Sequence, residues 1–402
     1  FSSRRRHTRY GTVTGVQTCA LPISPFTAAS FNVGNSAGYN SIATPNASVQ
    51  LGSGLNAFNV ASFNVGTGAR DVGSVTYNPS AVNGAFKLRA QDGAGRAALS
   101  IGTAGGATST SGANMLVDLT GRPADLLLSS LNVGNQQREG SMAYDFKFDN
   151  GTLDTTALNI GFGTTVYGST GSTSPTLAAT VTLGGGMVAV GTGAITMGTV
   201  NDLSAKATKL YNGALNISGG TVNVDTTGTY SIQLGNNTSA GVTVNETLTL
   251  TGGTLTVAGD IVQGSTTRTT GTLILNGGTL DMGRKNIGGN GSSTGNLTNI
   301  TLSAGTLRNV LEINNGAALT KGTAGTLILD GTNSFSGALT ISAGTLQVGA
   351  GGATGTPGSG NIVNGATLAF NRSGSVAVGN LISGAGALSF SGGGVFSLSG
   401  AS

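Results

Sequence analysis

The densest group of ionisable side chains lies in the stretch DFKFDNGTLD, where Asp145, Lys147 and Asp149 alternate with Phe146 and Phe148 and Asp154 follows a turn. Clustered carboxylates beside a lysine are what polysaccharide lysis or glycoside hydrolysis needs for acid and base work, and carboxylates also suit a calcium ion. On a strand, successive side chains point to opposite faces, so Asp145, Lys147 and Asp149 share one face. The same alternation describes an ordinary wet face over a core, with Asp149-Asn150-Gly151 as turn chemistry. These four are the weak candidates for catalysis in a chain poor in reactive groups.

A second candidate is the N-terminal stretch SRRRHTRYGTVTGVQTCALPIS, Ser3 to Ser24, which holds the one His (His7) and the one Cys (Cys19) of 402 residues. A Cys/His pair, a basic nucleic-acid arm and a signal peptide each fit it badly. The region after the charges, Tyr10 to Thr18, is polar where a signal peptide needs an apolar run. Residue by residue, Ser3–Arg9 and Val13–Ile23 resemble the translated constant parts of a common sequencing-library adapter, with Tyr10, Gly11 and Thr12 at the variable index. Residues 1–24 are therefore expected to be an adapter-derived, disordered segment that plays no part in the fold.

Setting that segment aside changes the charge. Arg4, Arg5, Arg6 and Arg9 are four of the 19 basic residues, so 15 remain against 15 acids, and the formal charge of +4 belongs to the segment. A neutral remainder gives no cationic surface for nucleic acid or anionic lipid. From Pro25 onward there is no Cys, His or Trp, which excludes disulfides, Cys/His metal sites and a His-based triad. No cofactor and no metal are expected, and no apolar run is long enough for a membrane helix.

The elements that position the candidates are strands. Charged residues make up 8% of the chain while Gly alone counts 70, and Thr, Val, Leu, Ile, Ser and Asn dominate the rest, a strand-and-turn composition. One unit recurs as GALNISGGTVNV (213–224), ETLTLTGGTLTV (246–257), GTLILNGGTLDM (271–282), NITLSAGTLRN (299–309) and GALTISAGTLQV (337–348). Its corner glycines are Gly220, Gly253, Gly278, Gly305 and Gly344, with a half copy at Gly325. The steps are 33, 25, 27, 20 and 19 residues, which suits coils of a solenoid with occasional loop insertions.

Two further repeats support the pattern. GTLDTTALNIG (151–161) aligns with GTLDMGRKNIG (278–288), and Asn-apolar-Gly follows a strand at Asn32, Asn64, Asn132, Asn159 and Asn286. Within each unit, Leu215, Ile217, Val222 and Val224 should point inward and Asn216, Ser218 and Asn223 outward, with equivalent Thr and Asn forming ladders along the stack. One unit cannot bury its apolar face, so stability must come from stacking about 15–19 coils of roughly 20–25 residues at ~4.8 Å.

The stretch GTLILDGTNSFSGALTISAGTLQVG, Gly325 to Gly349, resembles the autotransporter-associated β-strand repeat, also called the passenger-associated transport repeat. Gly325, Thr326, Leu327, Leu329 and Gly331 form its first half, Asn333, Phe335, Ser336 and Gly337 its turn, and Thr340, Ile341, Gly344, Thr345, Leu346, Val348 and Gly349 its second half. A further copy starts at Gly386-Ala387-Leu388. The resemblance implies an all-β, right-handed parallel β-helix, here truncated at both ends, on the extracellular or outer-membrane surface of a Gram-negative-type bacterium.

The expected organisation is a looser β-region over 25–140 and a β-helix of 19–27-residue coils over 141–402. The partners implied are an outer-membrane barrel or cell-surface anchor outside this chain and glycans or other surface molecules. The leading reading is a non-enzymatic passenger, a structural stalk or adhesin-like protein. The alternatives left open are a carbohydrate-active β-helix enzyme, either polysaccharide lyase or glycoside hydrolase, and a carbohydrate-binding module. Arg284-Lys285 and the Gly-rich GGNGSSTGN (288–296) read as exposed loops, since the latter lacks the Lys-Ser/Thr of a phosphate loop.

Overall fold

A computed structural model describes residues 11–13, 16–19, 25–34, 46–67, 72–102, 113–135, 142–163, 176–200, 209–225, 228, 230–289 and 295–400. Among these there is no helix, and the strands stack in parallel register. One coil shows the plan. Met142–Phe148 forms a first face, Gly151–Thr155 a second and Leu158–Gly163 a third. The next coil repeats it with Thr176–Leu183, Met187–Val190 and Ile195–Val200, each paired in parallel with its predecessor. The chain is a three-faced parallel β-helix.

Alternation builds the interior. Leu215, Ile217, Val222 and Val224 are buried, and so are their register partners Leu248, Leu250, Leu255 and Val257 in the following coil. Each such side chain removed from water stabilises the stack by about 1.5–3 kcal/mol before entropy is counted. Between the first and second faces the backbone turns at Gly220, Gly253, Gly278, Gly305 and Gly344, all with positive φ. These glycines lie against each other. A Cβ on Gly253 would sit 2.6 Å from the carbonyl carbon of Gly219, and one on Gly278 2.6 Å from that of Gly252. The recurrent corner glycine is thus fixed twice over, by backbone conformation and by contact with the coil beneath.

The Asn-apolar-Gly signature has a different cause. Four of its asparagines lie in one outward row of the third face, where Asn32 pairs with Asn64 and Asn132 with Asn159, while Asn286 is buried two residues out of that row and bonds Asp260. Asn64 Nδ2 donates to Asn32 Oδ1 at 2.9 Å, Asn159 Nδ2 to Asn132 Oδ1 at 2.8 Å, and Thr196 Oγ1 to Asn159 Oδ1 at 2.6 Å, so the expected ladder forms. The glycine that follows leaves room inside. Large first-face side chains cross the interior to that point, Met115 over Gly66 and Tyr144 over Gly102, where a Cβ would overlap them.

Past Ile313 the architecture changes. Upstream, strands run around corners, as in Val242–Val257 and Thr269–Ile287. Downstream, they are short, and the first face becomes a separate four-stranded sheet of Leu319–Lys321, Leu339–Ile341, Ile362–Asn364 and Ile382–Ser383. At the junction the register slips. Motif alignment sets Leu307 against Leu327, whereas the pairing sets Leu307 opposite Leu329. A slip of two residues keeps every side chain on its own face, so the core is continuous through it. It leaves the first-face strands 299–302 and 319–321 unpaired with each other, over an apolar recess lined by Ile300, Leu302, Leu319, Leu327 and Leu339.

Three sequence expectations are refined. Fourteen strands stack on the second face among the described residues, from Phe26–Val33 to Ala387–Ser391, fewer than the 15–19 coils expected. The coils are longer than assumed, with steps of 35 residues from Thr152 to Met187 and 34 from Met187 to Thr221 against 19 from Thr326 to Thr345. The extra length lies between the third face and the next first face, as from Gly163 to Thr176. Within the segment expected to be disordered, Gly11–Val13 pairs with Phe31–Val33 and Val16–Cys19 with Ser48–Leu51. An open parallel edge presents free N–H and C=O groups that any extended polar segment can pair with, whatever its side chains.

Candidate functional site

The alternation read from DFKFDNGTLD is present. Tyr144, Phe146 and Phe148 are buried, while Asp145 and Lys147 stand half-exposed on the outside of the first face. Asp149 lies at the corner and accepts two hydrogen bonds from Gly121 N, at 2.8 and 3.0 Å. Asp154 lies around that corner on the second face. The structure brings Asp145 and Lys147 together and separates them from Asp154.

Three of the four groups are engaged between coils. Lys147 Nζ lies 3.6 Å from Asp118 Oδ2, its register partner one coil earlier. Arg96 grips Asp154 with both terminal nitrogens, at 2.8 and 3.0 Å, and donates to Leu128 O at 2.9 Å, so one side chain ties three successive coils. Arg89 does the same for Asp125, donating to its carboxylate at 2.6 Å and its carbonyl at 2.9 Å, while Thr152 Oγ1 donates to that carboxylate from the next coil. Burial raises the Asp125 pKa, but the hydrogen bonds from Arg89 and Thr152 and the charges of Arg89 and Lys87 outweigh it, and the carboxyl is held below its ordinary range.

Asp154 and Asp281, equivalent in the aligned repeats, occupy one outward row through Ala189, Asn223 and Thr256. Asp281 belongs to a ladder of alternating charge, Asp281–Arg308–Asp330, with Arg308 Nε 3.9 and 3.3 Å from the two carboxylates. Arg284 and Lys285 are exposed on a bulge where Arg284 has a φ of 66°. Much of the Gly-rich 288–296 stretch, and His7, lie outside the described residues. Among the described residues no three His, Cys, Asp or Glu side chains gather as metal ligands, and no helix is long and apolar enough to cross a membrane.

The motif of 325–349 is used within the stack. Asn333 Oδ1 accepts from Val310 N at 3.0 Å, and its Nδ2 donates to Asp330 O at 3.0 Å and Thr356 O at 3.1 Å, so this side chain joins three coils. Phe335 fills the core beside it. Ser336 donates through its N–H and its hydroxyl to Glu312 of the coil before. Gly337 presses on Ala317, where a Cβ would overlap the carbonyl oxygen. Every polar member of this turn is spent on the neighbouring coil.

Sequence reasoning missed Arg89, Arg96, Asp125 and Glu246. The arginine pairings join residues 36 and 58 positions apart, a separation set by coil length and invisible to local patterning. Glu246 was legible, because it shares parity with Val242, Val244, Leu248 and Leu250 and therefore points into the core.

Residues 319–348 match the family model of the passenger-associated-transport-repeat. No curated protein and no solved structure matches the chain.

Proposed function

We propose that this chain, a carrier of the passenger-associated transport repeat, is a non-enzymatic passenger displayed at the cell surface or secreted, and that it works as a stiff stalk. The observation carrying the stalk reading is the use of its ionisable and motif residues. Arg89, Arg96, Lys147, Asp149, Asp154 and Asn333 each bind a neighbouring coil, so the groups that could have served catalysis instead hold rungs in register. An adhesin-like role belongs to the same reading, with glycans or other surface molecules as ligands and an outer-membrane barrel or anchor as the partner in export.

The test has two arms. Fused between a secretion signal and an outer-membrane barrel in a Gram-negative host, the chain should become accessible to external protease and antibody without permeabilisation. Retention inside the cell envelope would count against the passenger reading. Incubated with a panel of acidic and neutral polysaccharides, the purified chain should release neither unsaturated uronides nor reducing ends. Release that disappears in Asp145→Asn or Asp154→Asn would replace the stalk with an enzyme.

A further inference from the structure

Glu246 is the one carboxylate among the described residues that is wholly inside the β-helix. It is 0% exposed, and neither carboxyl oxygen has a hydrogen-bond partner. Three glycines clear its place. Gly213, its register partner in the preceding coil, and Gly198 on the third face would each overlap the carboxyl if they carried a Cβ, and a Cβ on Gly161, a coil further back, would lie 4.0 Å from Oε1. The carboxyl therefore reaches back through two coils along a slot made by missing side chains. The Gly213 amide bears on the carboxyl from the preceding coil, but its geometry falls short of a hydrogen bond.

No cation described inside the slot faces the carboxyl, and the Gly213 amide offsets only part of the cost of burial. Thr176–Leu183 presents Leu177 and Ala179, and neither Leu158–Gly163 nor Ile195–Val200 carries a titratable side chain. Lys209–Val224 contributes the buried Tyr211, and Met142–Phe148 the buried Tyr144, while Asp145 and Lys147 of that strand face outward. In the following coil Gly271 stands opposite, its N–H donating to Gln263 Oε1 at 2.8 Å, and Asp281, Arg284 and Lys285 lie beyond the corner. An ionised carboxylate here would be an unpaired charge in an apolar interior, which proteins avoid by holding the proton.

We propose that Glu246 is a proton-dependent joint in the rod: with its carboxyl neutral the coils between Gly213 and Gly271 stack closed, and its ionisation opens them there first. Burial raises the pKa of the folded carboxyl well above the 4.5 of a free glutamate, in agreement with this. The sign follows. Between the unfolded and folded pKa values the native state binds one more proton than the open state, so stability is greatest at acid pH and falls as pH rises, then levels once the folded carboxyl ionises. In that window the opening constant grows about tenfold per pH unit. The inference stands independently of the passenger reading.

The experiment compares the full chain with Glu246→Gln, which keeps shape and removes the titration. Hydrogen-exchange protection of residues 242–250 should fall about tenfold per pH unit in the native chain and stay flat in Glu246→Gln. Infrared spectra at neutral pH should show a protonated carboxyl band that the variant lacks. Parallel pH profiles, or no such band in the native chain, would overturn the proposal. Should Glu246→Gln not fold, the native chain's own band decides.

Discussion

The coils upstream of Ile313 and those downstream of Leu319 solve the same stacking problem by different means. Upstream, strands of 15 to 19 residues bend around the corners, as in 242–257, 269–287 and 299–313, and the interior is filled by large side chains crossing to third-face glycines. Ion pairs and an Asn ladder stitch the outside. Downstream, strands of two to five residues leave more backbone unpaired, and single buried polar side chains replace the missing ladder bonds. Asn333 does so at one level, and Arg372 donates to Gly355 O and Ala353 O at another.

The largest test of this contrast is in the core. Phe63, fully buried against Phe31 and Phe58 at 4.9 and 5.2 Å, should lose about 3–5 kcal/mol as Phe63→Ala in urea unfolding. Phe390 in the end coil is 46% exposed and stacks on Phe370 at 5.5 Å, so Phe390→Ala should lose about 1 kcal/mol. Equal losses would mean that the two ends are packed alike.

The corner comes next. Gly253→Ala meets both a φ of 68° and the backbone of Gly219, and should cost about 3 kcal/mol. Gly121→Ala has a similar φ of 73° but nothing within 4 Å, leaving about 1–2 kcal/mol of conformational strain. A difference near zero between them would remove the coil-on-coil contact as the reason for the repeat's glycine.

Smaller effects separate the two kinds of stitching. Asn333→Ala orphans a buried backbone amide and should cost about 2 kcal/mol, while Asn159→Ala in the half-exposed ladder should cost about 1 kcal/mol, both read as local hydrogen-exchange protection. Smallest of all is Asp154→Asn. Its pair with Arg96 is exposed on both sides, so less than about 1 kcal/mol should be lost, and less still at high salt.

Much of this was legible in the residues. Leu215, Ile217, Val222 and Val224 declared their inward face by alternation, and Gly220, Gly253 and Gly278 declared the corners by recurrence. Asp145 and Lys147 fell on the outward face for the same reason. What stayed hidden was pairing across coils, because Arg96 meets Asp154 only once the length of the intervening loops is fixed. The slip between Leu307 and Leu329 was hidden too, since motif alignment counts residues along the chain while register is settled by where each coil closes.

By itself, then, the sequence determined parity and corners, and with them a stacked parallel β-helix, since an alternating strand with one apolar face has no way to bury it except on its neighbours. The tertiary structure alone decided which outward charges neutralise which, where the stack slips, and that Glu246 meets glycine rather than a cation. Those outcomes depend on distances between coils, set by loop lengths and by the shared core, and no local pattern of residue types carries that information.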